Sequence, residues 1–274
     1  MLKTYLDTSG GELYEWLIIG FLQGLLEWLP VSSSGQLFLV LTTLLKISVK
    51  EAYIYTIYLH TGTCMVTLLK YRREYHSIIR ELFHFKFNRG MVRVFSIATI
   101  SSLITGFIIY NVTLLFLSGS SFDIVMFLLG IALTITGILT YFSKTNMGSR
   151  RVPDISFWEA VLLGFVQGLS VIPGLSRSGL TISVLLLLGF KPIDAFNLSF
   201  IISLPAIVAA IVYSLVTSGV VFNFRGVIAL ISCFISGYLG IELMLSIARK
   251  FDFSKVLILM GAIIICLTLP LFIP

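Results

Sequence analysis

The fold is decided by two related stretches, GFLQGLLEWLPVSSSGQL at residues 20–37 and GFVQGLSVIPGLSRSGLT at residues 164–181. Each lies inside a long apolar run, at about 16–45 and 157–190, and proline, glycine and serine interrupt each run midway. Such a break frees backbone N–H and C=O groups that lipid cannot satisfy. We therefore expect both breaks to be buried in protein or to line a wet cavity.

The composition around these stretches is that of a membrane protein. Of the 274 residues, 57% are hydrophobic and 12% are charged, and the mean hydropathy is +1.02. A soluble domain with a wetted surface has far more polar residues. Because a membrane helix takes about 20 apolar residues, the chain has room for roughly eight membrane segments and no separate soluble domain.

The other apolar runs each have the length of a single span. They fall at about 52–70, 95–117, 122–142, 195–218, 226–248 and 254–274. A long run with a break in its middle is instead typical of a re-entrant helical hairpin. The pattern predicts an all-α integral membrane protein with six transmembrane helices and two re-entrant helical hairpins.

Basic residues predict which connections face the cytoplasm. Lys and Arg are concentrated in the segments 70–93, 143–156 and 249–255, whereas 118–121 and 219–224 contain none. Basic loops stay on the cytoplasmic side of a membrane. Counting spans from these loops, each long run starts and ends on one side. We expect a multi-pass protein of the cell membrane with both termini outside.

The two stretches are also copies of each other. Aligned without a gap, they are identical at eight of eighteen positions, including matched Gln, Gly and Ser residues. Polar matches are informative because such residues are costly in hydrocarbon. Three spans follow each copy, and the span count makes the copies enter from opposite sides, as in the inverted-topology repeats of many transporters. We predict a single domain, 1–274, made of two inverted repeats at about 12–142 and 156–274.

Glu27 and Arg177 are the ionisable residues that lie deepest in the apolar runs. A charge deep in a bilayer is costly unless it is paired or wet. Two explanations stay open at this point. The two residues form an ion pair that holds the repeats together, or they belong to a polar active cavity.

The second break has the features of an anion site. Arg177 lies between Ser176 and Ser178, where the chain turns back into a helix with Thr181 in its first turns. A guanidinium binds phosphate oxygens through two donors, and a helix N-terminus adds free N–H groups and a positive dipole end. We expect phosphate to be the anion.

The first break supplies three hydroxyls, from Ser32, Ser33 and Ser34, with Glu27 before them and Gln36 after them. A serine beside a base can act as a nucleophile, and a carboxylate can hold a divalent ion or orient water. The alternative for each serine is helix capping.

Histidines and cysteines lie outside the two breaks. We expect His60 to be a satisfied polar residue within a span, and His76 and His84 to be solvated residues of a basic loop. Cys64, Cys233 and Cys266 all fall in apolar runs and show no paired spacing. They are expected to be small buried hydrophobes rather than disulfide partners or metal ligands.

The segments QGLLEWLPVSSSG (23–35) and PGLSRSGLT (173–181) resemble those of the undecaprenyl-diphosphate phosphatase family, whose members are also called bacitracin-resistance proteins. The resemblance covers nearly the whole chain in length, loop pattern and motif placement. It implies hydrolysis of a polyprenyl diphosphate to the monophosphate carrier lipid, in a pocket reached from the outer leaflet.

The resemblance also implies roles for individual residues. Glu27 matches the second glutamate of the family's EGxxE motif, and Ser33 matches the serine often assigned as the nucleophile. Ser176, Arg177 and Thr181 match the phosphate-binding loop.

Two positions depart from the family pattern: Gln23 stands where the first glutamate is usual, and Gln36 stands where a histidine is usual. Glutamine neither takes a proton at neutral pH nor neutralises a cation. A metal site with one carboxylate is weaker than one with two, and the expected proton-transfer group for Ser33 is missing. Gln23 also makes the first copy more like the second, which has Gln167 at the matching position.

The resulting hypothesis is a phosphatase with Glu27, Ser33 and Arg177 as catalytic residues and with Mg²⁺ or Ca²⁺ held by Glu27. The residues expected to contact substrate are Gln23, Ser32, Ser34, Gln36, Gln167, Ser176, Ser178 and Thr181. The alternative is a polyprenyl-phosphate translocase that keeps the anion site without hydrolysis.

The expected partners are a polyprenyl diphosphate or phosphate lipid and the membrane lipids. The net charge of +6 belongs mostly to the predicted cytoplasmic loops, which favours anionic lipid contact over nucleic acid. A homodimer stays open because the sequence does not determine the oligomeric state.

Overall fold

The computed structural model describes residues 13–84, 90–143, 148–218, 224–250 and 253–272, and this part of the chain is mainly helical. Its α-helices are α1 (Leu13–Leu26), α2 (Ser33–Thr43), α3 (Val49–Lys70), α4 (Arg72–Phe83), α5 (Gly90–Gly119), α6 (Phe122–Ser143), α7 (Phe157–Leu169), α8 (Arg177–Leu187), α9 (Pro192–Ser218), α10 (Phe224–Lys250) and α11 (Phe253–Thr268). No strand is assigned within the described ranges. The predicted all-α class is confirmed.

Four helices of the described chain are long and apolar enough to cross a membrane: α5, α6, α9 and residues 224–243 of α10. α3 is as long as α6, with 22 residues, but is more polar, and α11 has 16 residues. The apolar helices leave large side chains uncovered, as α5 does with Ile100, Ile104 and Ile108. Because a soluble protein would bury such a surface, these faces are suited to lipid.

Both long apolar runs are broken where the sequence predicts, between α1 and α2 and between α7 and α8. Ser32 Oγ accepts a hydrogen bond from the Gly35 N–H at 3.3 Å, and Ser176 Oγ accepts one from the Gly179 N–H at 3.1 Å. Each serine thus caps the helix that follows it and satisfies one free backbone donor. The two breaks restart their helices in the same way at aligned positions.

The second broken run begins and ends at one end of the molecule. The chain before α7 is hydrogen bonded to the chain after α8, from Arg150 N to Gly189 O at 3.1 Å, and the Arg150 guanidinium also binds both carboxylate oxygens of Glu159. The chain therefore turns back on itself within this run. In the first half, the Trp16 ring near the start of α1 lies 5.0 Å from the Tyr55 ring of α3.

The first helix of each broken run packs against a helix of the other half of the chain. α1 packs mainly against α10, and α7 packs mainly against α5. Gly20 and Gly164, which are aligned in the repeat, make both contacts possible: a Cβ at Gly20 would lie 2.0 Å from Ala229 O, and one at Gly164 would lie 2.3 Å from Ala98 O. Glycine lets helix backbones approach closely in lipid.

The ends and loops are described in part. The prediction that both termini lie outside concerns residues 1–12 and 273–274, which are outside the described ranges. Within the described loops, Arg93 Nη2 donates to Ile155 O at 2.6 Å, so parts of two predicted basic loops lie together.

The cysteines differ from expectation at one position. Cys64 and Cys233 are buried, whereas Cys266 is exposed. The expectation of burial was wrong for Cys266 because α11 packs mainly against α6 and presents its other face to the surroundings.

Candidate active site

A cavity of about 530 Å³ lies where the two breaks meet, and both halves of the chain line it. Its polar wall includes Glu27, Ser33, His60 and Arg177. Its apolar wall comes chiefly from α5 and α9 and includes the exposed side chains of Leu103, Phe107, Val212 and Val216. The cavity therefore joins a charged end to an apolar end whose side chains reach the outer surface of the helices.

The two breaks are in direct contact. Arg177 Nη2 donates a short hydrogen bond to Glu27 Oε1, and Ser178 Oγ donates to Leu29 O at 3.3 Å. A Cβ at Gly35 would lie 3.0 Å from the Cα of Gly174, so a side chain here would require one of the two breaks to shift. The sequence left an ion pair and a polar cavity as alternatives, and the structure contains both, because the paired residues line the cavity.

Glu27 is surrounded by donors although its side chain is only 5% exposed. Its Oε2 atom accepts from Ser33 Oγ at 2.7 Å and from Gln23 Nε2 at 3.1 Å, and it faces His60 Nε2 at 3.3 Å. Ser33 is also the first residue of α2, and its hydroxyl points back at the carboxylate. A hydroxyl that already donates to a carboxylate has a proton acceptor in place for nucleophilic attack.

Arg177 keeps donor capacity for a ligand. Its Nη1 atom is buried and has no hydrogen-bond partner among the described residues, while Nη2 is bound to Glu27. An unsatisfied buried donor of a charged group costs free energy, which an anionic ligand would recover. Because α8 begins at Arg177 and α2 at Ser33, two helix N-termini converge here and add positive dipole ends. The geometry suits a phosphate oxygen.

The structure brings five of the predicted substrate-contact residues to the cavity wall. These are Ser32, Ser34, Gln167, Ser176 and Ser178. Ser32 also serves as a helix cap, which was the alternative given for the serines of the first break, and Ser176 is a cap as well. Gln167 donates through Nε2 to Ser102 Oγ and to Ile202 O, so this amide ties α7 to α5 and α9.

The other three predicted residues, Gln23, Gln36 and Thr181, do not appear in the cavity wall that the described residues form. Gln23 donates to Glu27, and Gln36 Nε2 donates to Val31 O at 2.8 Å. Thr181 Oγ1 donates to Arg177 O at 2.8 Å. Each supports a neighbouring residue or the backbone of a break.

Motif spacing does not identify His60 as a residue of the site. Its ring is hydrogen bonded within the span formed by α3, as expected, and it also lines the cavity and faces Glu27. His60 lies on α3, far in sequence from both breaks, so no motif spacing points to it. The available signal was a lone ionisable side chain in the middle of an apolar run.

Two residues near the breaks adopt the left-handed backbone region. Ser32 has φ 56° and ψ 69°, and Gly174 has φ 94°. A non-glycine residue in this region is strained, and such strain is concentrated at functional sites. At Gly174 a side chain would also meet Ala132 and Leu129, since a Cβ would lie 2.9 Å from each.

The residues around Glu27 do not form a cation site by themselves. Divalent Mg²⁺ and Ca²⁺ require several oxygen ligands, with carboxylates to neutralise their charge. Both oxygens of Glu27 are already engaged by donors, and a cation on Oε1 would meet the Arg177 guanidinium. The described chain contains no group of three His, Cys, Asp or Glu residues that could hold a metal. The donor set of the protein alone therefore does not fit the cation expected at Glu27.

Comparison with known proteins identifies the family. The family model for the bacitracin resistance protein BacA matches residues 16–263. The chain belongs to the BacA family. Among its relatives are proteins named undecaprenyl-diphosphatase from Methanothrix thermoacetophila (35% identical, 92% of this chain and 95% of the relative), Haloarcula marismortui (35%, 90% and 94%) and Methanococcoides burtonii (34%, 92% and 97%). The BacA match covers both breaks and all four apolar helices.

Proposed function

We propose that this protein hydrolyses a long-chain polyprenyl diphosphate of the undecaprenyl type, giving the monophosphate carrier lipid and phosphate. The BacA family and the names of the relatives support the activity. The observation that carries the proposal is Arg177 Nη1, which has no hydrogen-bond partner in the described part of the chain and lies beside the Ser33–Glu27 hydrogen bond at the polar end of a cavity with an apolar wall. This combination fits a diphosphate attached to a hydrocarbon chain.

Arg177 and the two helix N-termini bind the terminal phosphate. The Nη1 donors of Arg177 contact a phosphoryl oxygen, and the free N–H groups at the starts of α2 and α8 contribute positive potential. The hydroxyls of Ser34 and Ser178 lie on the same wall and offer further donors. These groups stabilise the charge that develops on the phosphoryl oxygens in the transition state.

Ser33 and Glu27 carry out the transfer. Ser33 Oγ attacks the terminal phosphorus while its proton passes to Glu27 Oε2, and the bond to the bridging oxygen breaks to release the polyprenyl phosphate. Water then attacks the phosphoserine, and Ser33 Oγ leaves with the proton from Glu27. One proton of the water stays on phosphate, and the other is released to solvent. The 2.7 Å hydrogen bond between Ser33 and Glu27 supports this order of transfer.

The apolar wall holds the first part of the prenyl chain. Phe107 of α5 and Val216 of α9 line the cavity and are exposed on the outer surface. A lipid substrate can therefore place its diphosphate at Arg177 while its hydrocarbon stays in the bilayer.

A divalent cation would enter this scheme bound to the substrate, because the diphosphate offers the several charged oxygens that the described residues around Glu27 do not. Mg²⁺ or Ca²⁺ bound to the diphosphate would neutralise the oxygens that Arg177 does not reach.

The membrane arrangement is part of the same proposal. We infer six transmembrane helices, two re-entrant hairpins and an inverted-topology repeat in the cell membrane, with the basic loops cytoplasmic. Two observations support the repeat. Ser32 and Ser176 cap their helices at aligned positions. The first helix of each broken run also packs against a helix of the other half, α1 against α10 and α7 against α5. The return of the chain after α8 to the start of α7 supports the second hairpin.

The translocase alternative finds no support in the comparisons, since the relatives named above are all called diphosphatases. The test is phosphate release from a long-chain prenyl diphosphate by the purified protein in detergent. We expect release by the wild type and by the Arg151→Ala control, whose side chain is exposed, and loss of release in Arg177→Ala. Binding of the lipid without release by a well-folded wild type would contradict the proposal.

A further inference from the structure

His60 lies where three elements of the site meet. It projects from α3 into the cavity wall, and its Nε2 atom is 3.3 Å from Glu27 Oε2. Ser33 Oγ donates to the same oxygen at 2.7 Å. His60 therefore contacts the atom that is proposed to take the proton of Ser33, although it belongs to neither break.

The hydrogen bonds of the imidazole ring fix its donors. Nδ1 lies 2.6 Å from Thr56 O, and a carbonyl oxygen only accepts hydrogen bonds, so Nδ1 carries a hydrogen. Nε2 faces a carboxylate oxygen that already accepts from Ser33 and Gln23. A lone pair there would repel the carboxylate, whereas an N–H attracts it. The geometry therefore suits an Nε2–H donor directed at Glu27, and Thr56 sets the orientation of the ring.

We propose that His60 is a positioning residue of the reaction, which holds Glu27 Oε2 against Ser33 Oγ through an Nε2–H donor. The inference rests on the proposed function, because it concerns the same carboxylate. Arg177 holds the other oxygen of Glu27 in the free protein. When substrate draws donors of Arg177 to its phosphate, His60 and Gln23 keep the carboxylate in place.

The alternative role for His60 is purely structural, as a side chain tied to Thr56 within α3. Two substitutions separate these roles because they each keep one donor of the ring. The amide nitrogen of Gln lies at the position of Nε2, and the amide nitrogen of Asn lies at the position of Nδ1. His60→Gln thus keeps the donor to Glu27, and His60→Asn keeps the donor to Thr56.

The experiment is steady-state phosphate release from a long-chain prenyl diphosphate by purified wild type, His60→Gln, His60→Asn and His60→Ala. Misplacement of a reacting group by about 1 Å costs up to about 100-fold in rate. We therefore expect kcat to fall about 10- to 100-fold in the Asn and Ala variants with KM within about threefold of wild type. His60→Gln should stay within about threefold of the wild-type kcat.

His76→Gln is the matched control, because His76 is exposed on α4. Elution volume and melting temperature in detergent check that each variant is folded. A His60→Asn variant as active as wild type would overturn the inference, and so would a rise in KM with unchanged kcat, which would indicate a substrate contact. These outcomes leave the proposed function intact when the wild type is active. An inactive wild type would remove the proposed function itself and the inference with it.

Discussion

The two breaks share the serine caps of their helices and differ in their chemistry, although the Ser32 backbone is left-handed and the Ser176 backbone is extended. Ser32 and Ser176, at aligned positions, cap their helices with the same hydrogen bond to the glycine three residues later. The residue that follows each cap begins a helix at the cavity, but it is Ser33 in one break and Arg177 in the other. The repeat thus preserves the geometry that exposes two helix N-termini.

The breaks also differ in chemistry at the aligned positions just after α1 and α7. Glu27 of the first break aligns with Val171 of the second, and both line the cavity. The aligned amides also diverge, since Gln23 donates to Glu27 whereas Gln167 donates to Ser102 and Ile202. The first break therefore supplies the carboxylate and the hydroxyl, and the second supplies the positively charged guanidinium of Arg177. Neither break is a complete site without the other.

The largest effect is expected from Arg177→Ser, which gives the second break the residue of the first. Loss of the guanidinium removes the main donor to the phosphoryl oxygens, so kcat/KM should fall by about 10³-fold or more. Arg177→Lys keeps the charge without the planar fork and should lie between this variant and wild type. Phosphate release from a prenyl diphosphate measures both. A tenfold loss of activity corresponds to about one lost neutral hydrogen bond. Activity of Arg177→Ser within tenfold of wild type would therefore contradict the division of roles.

Glu27→Gln should have the next largest effect. The amide keeps the size of the side chain but cannot accept the Ser33 proton, so kcat should fall by about 10²- to 10³-fold. KM should change little, because Arg177 loses its intramolecular partner and stays free for phosphate. A variant that raised KM without lowering kcat would show that Glu27 acts in binding instead.

Ser33→Ala and Ser32→Ala form a matched pair of neighbouring hydroxyls. Removal of the Ser33 hydroxyl should lower kcat by about 10²-fold or more. Removal of the Ser32 cap should lower the free energy of unfolding by about 1 kcal/mol and leave kcat much less affected. Phosphate release and thermal inactivation in detergent distinguish the two. Equal losses of kcat in both variants would show that the hydroxyls have no separate roles.

The smallest effect concerns cation binding in the absence of substrate. The free protein should show no saturable binding of Mg²⁺ or Ca²⁺ by calorimetry, because Glu27 is the sole carboxylate at the breaks and its oxygens are engaged. Gln23→Glu places a second carboxylate beside the first and should create measurable binding. Saturable binding by the wild type that is lost in Glu27→Gln would show that the protein itself holds the cation.

Much of this structure could be predicted because lipid penalises polar and broken backbone. The positions of both breaks follow from proline, glycine and serine in runs that are otherwise apolar, and the cost of isolated charges indicates that Glu27 and Arg177 are either paired or in a polar cavity. The cap at Ser32 agrees with the preference of helix N-termini for hydroxyls, which was the alternative for the serines of the first break.

Other features depend on contacts between distant segments. His60 reaches Glu27 only because α3 packs beside the first break, and no local pattern encodes that distance. Gln23 and Gln36 were expected to contact substrate, which requires their side chains to face the cavity. In the structure these amides instead satisfy Glu27 and the Val31 carbonyl, since buried acceptors are costly when left unpaired.

The most direct test of a single site shared by the two breaks is a double-mutant cycle between Glu27→Gln and Arg177→Lys, measured on kcat/KM for a prenyl diphosphate. The side chains are in contact and are proposed to act on one phosphoryl group, so their effects should not be independent. The double mutant should be about as impaired as the worse single mutant. A double mutant whose loss equals the product of the two single losses would contradict a site shared by the two breaks.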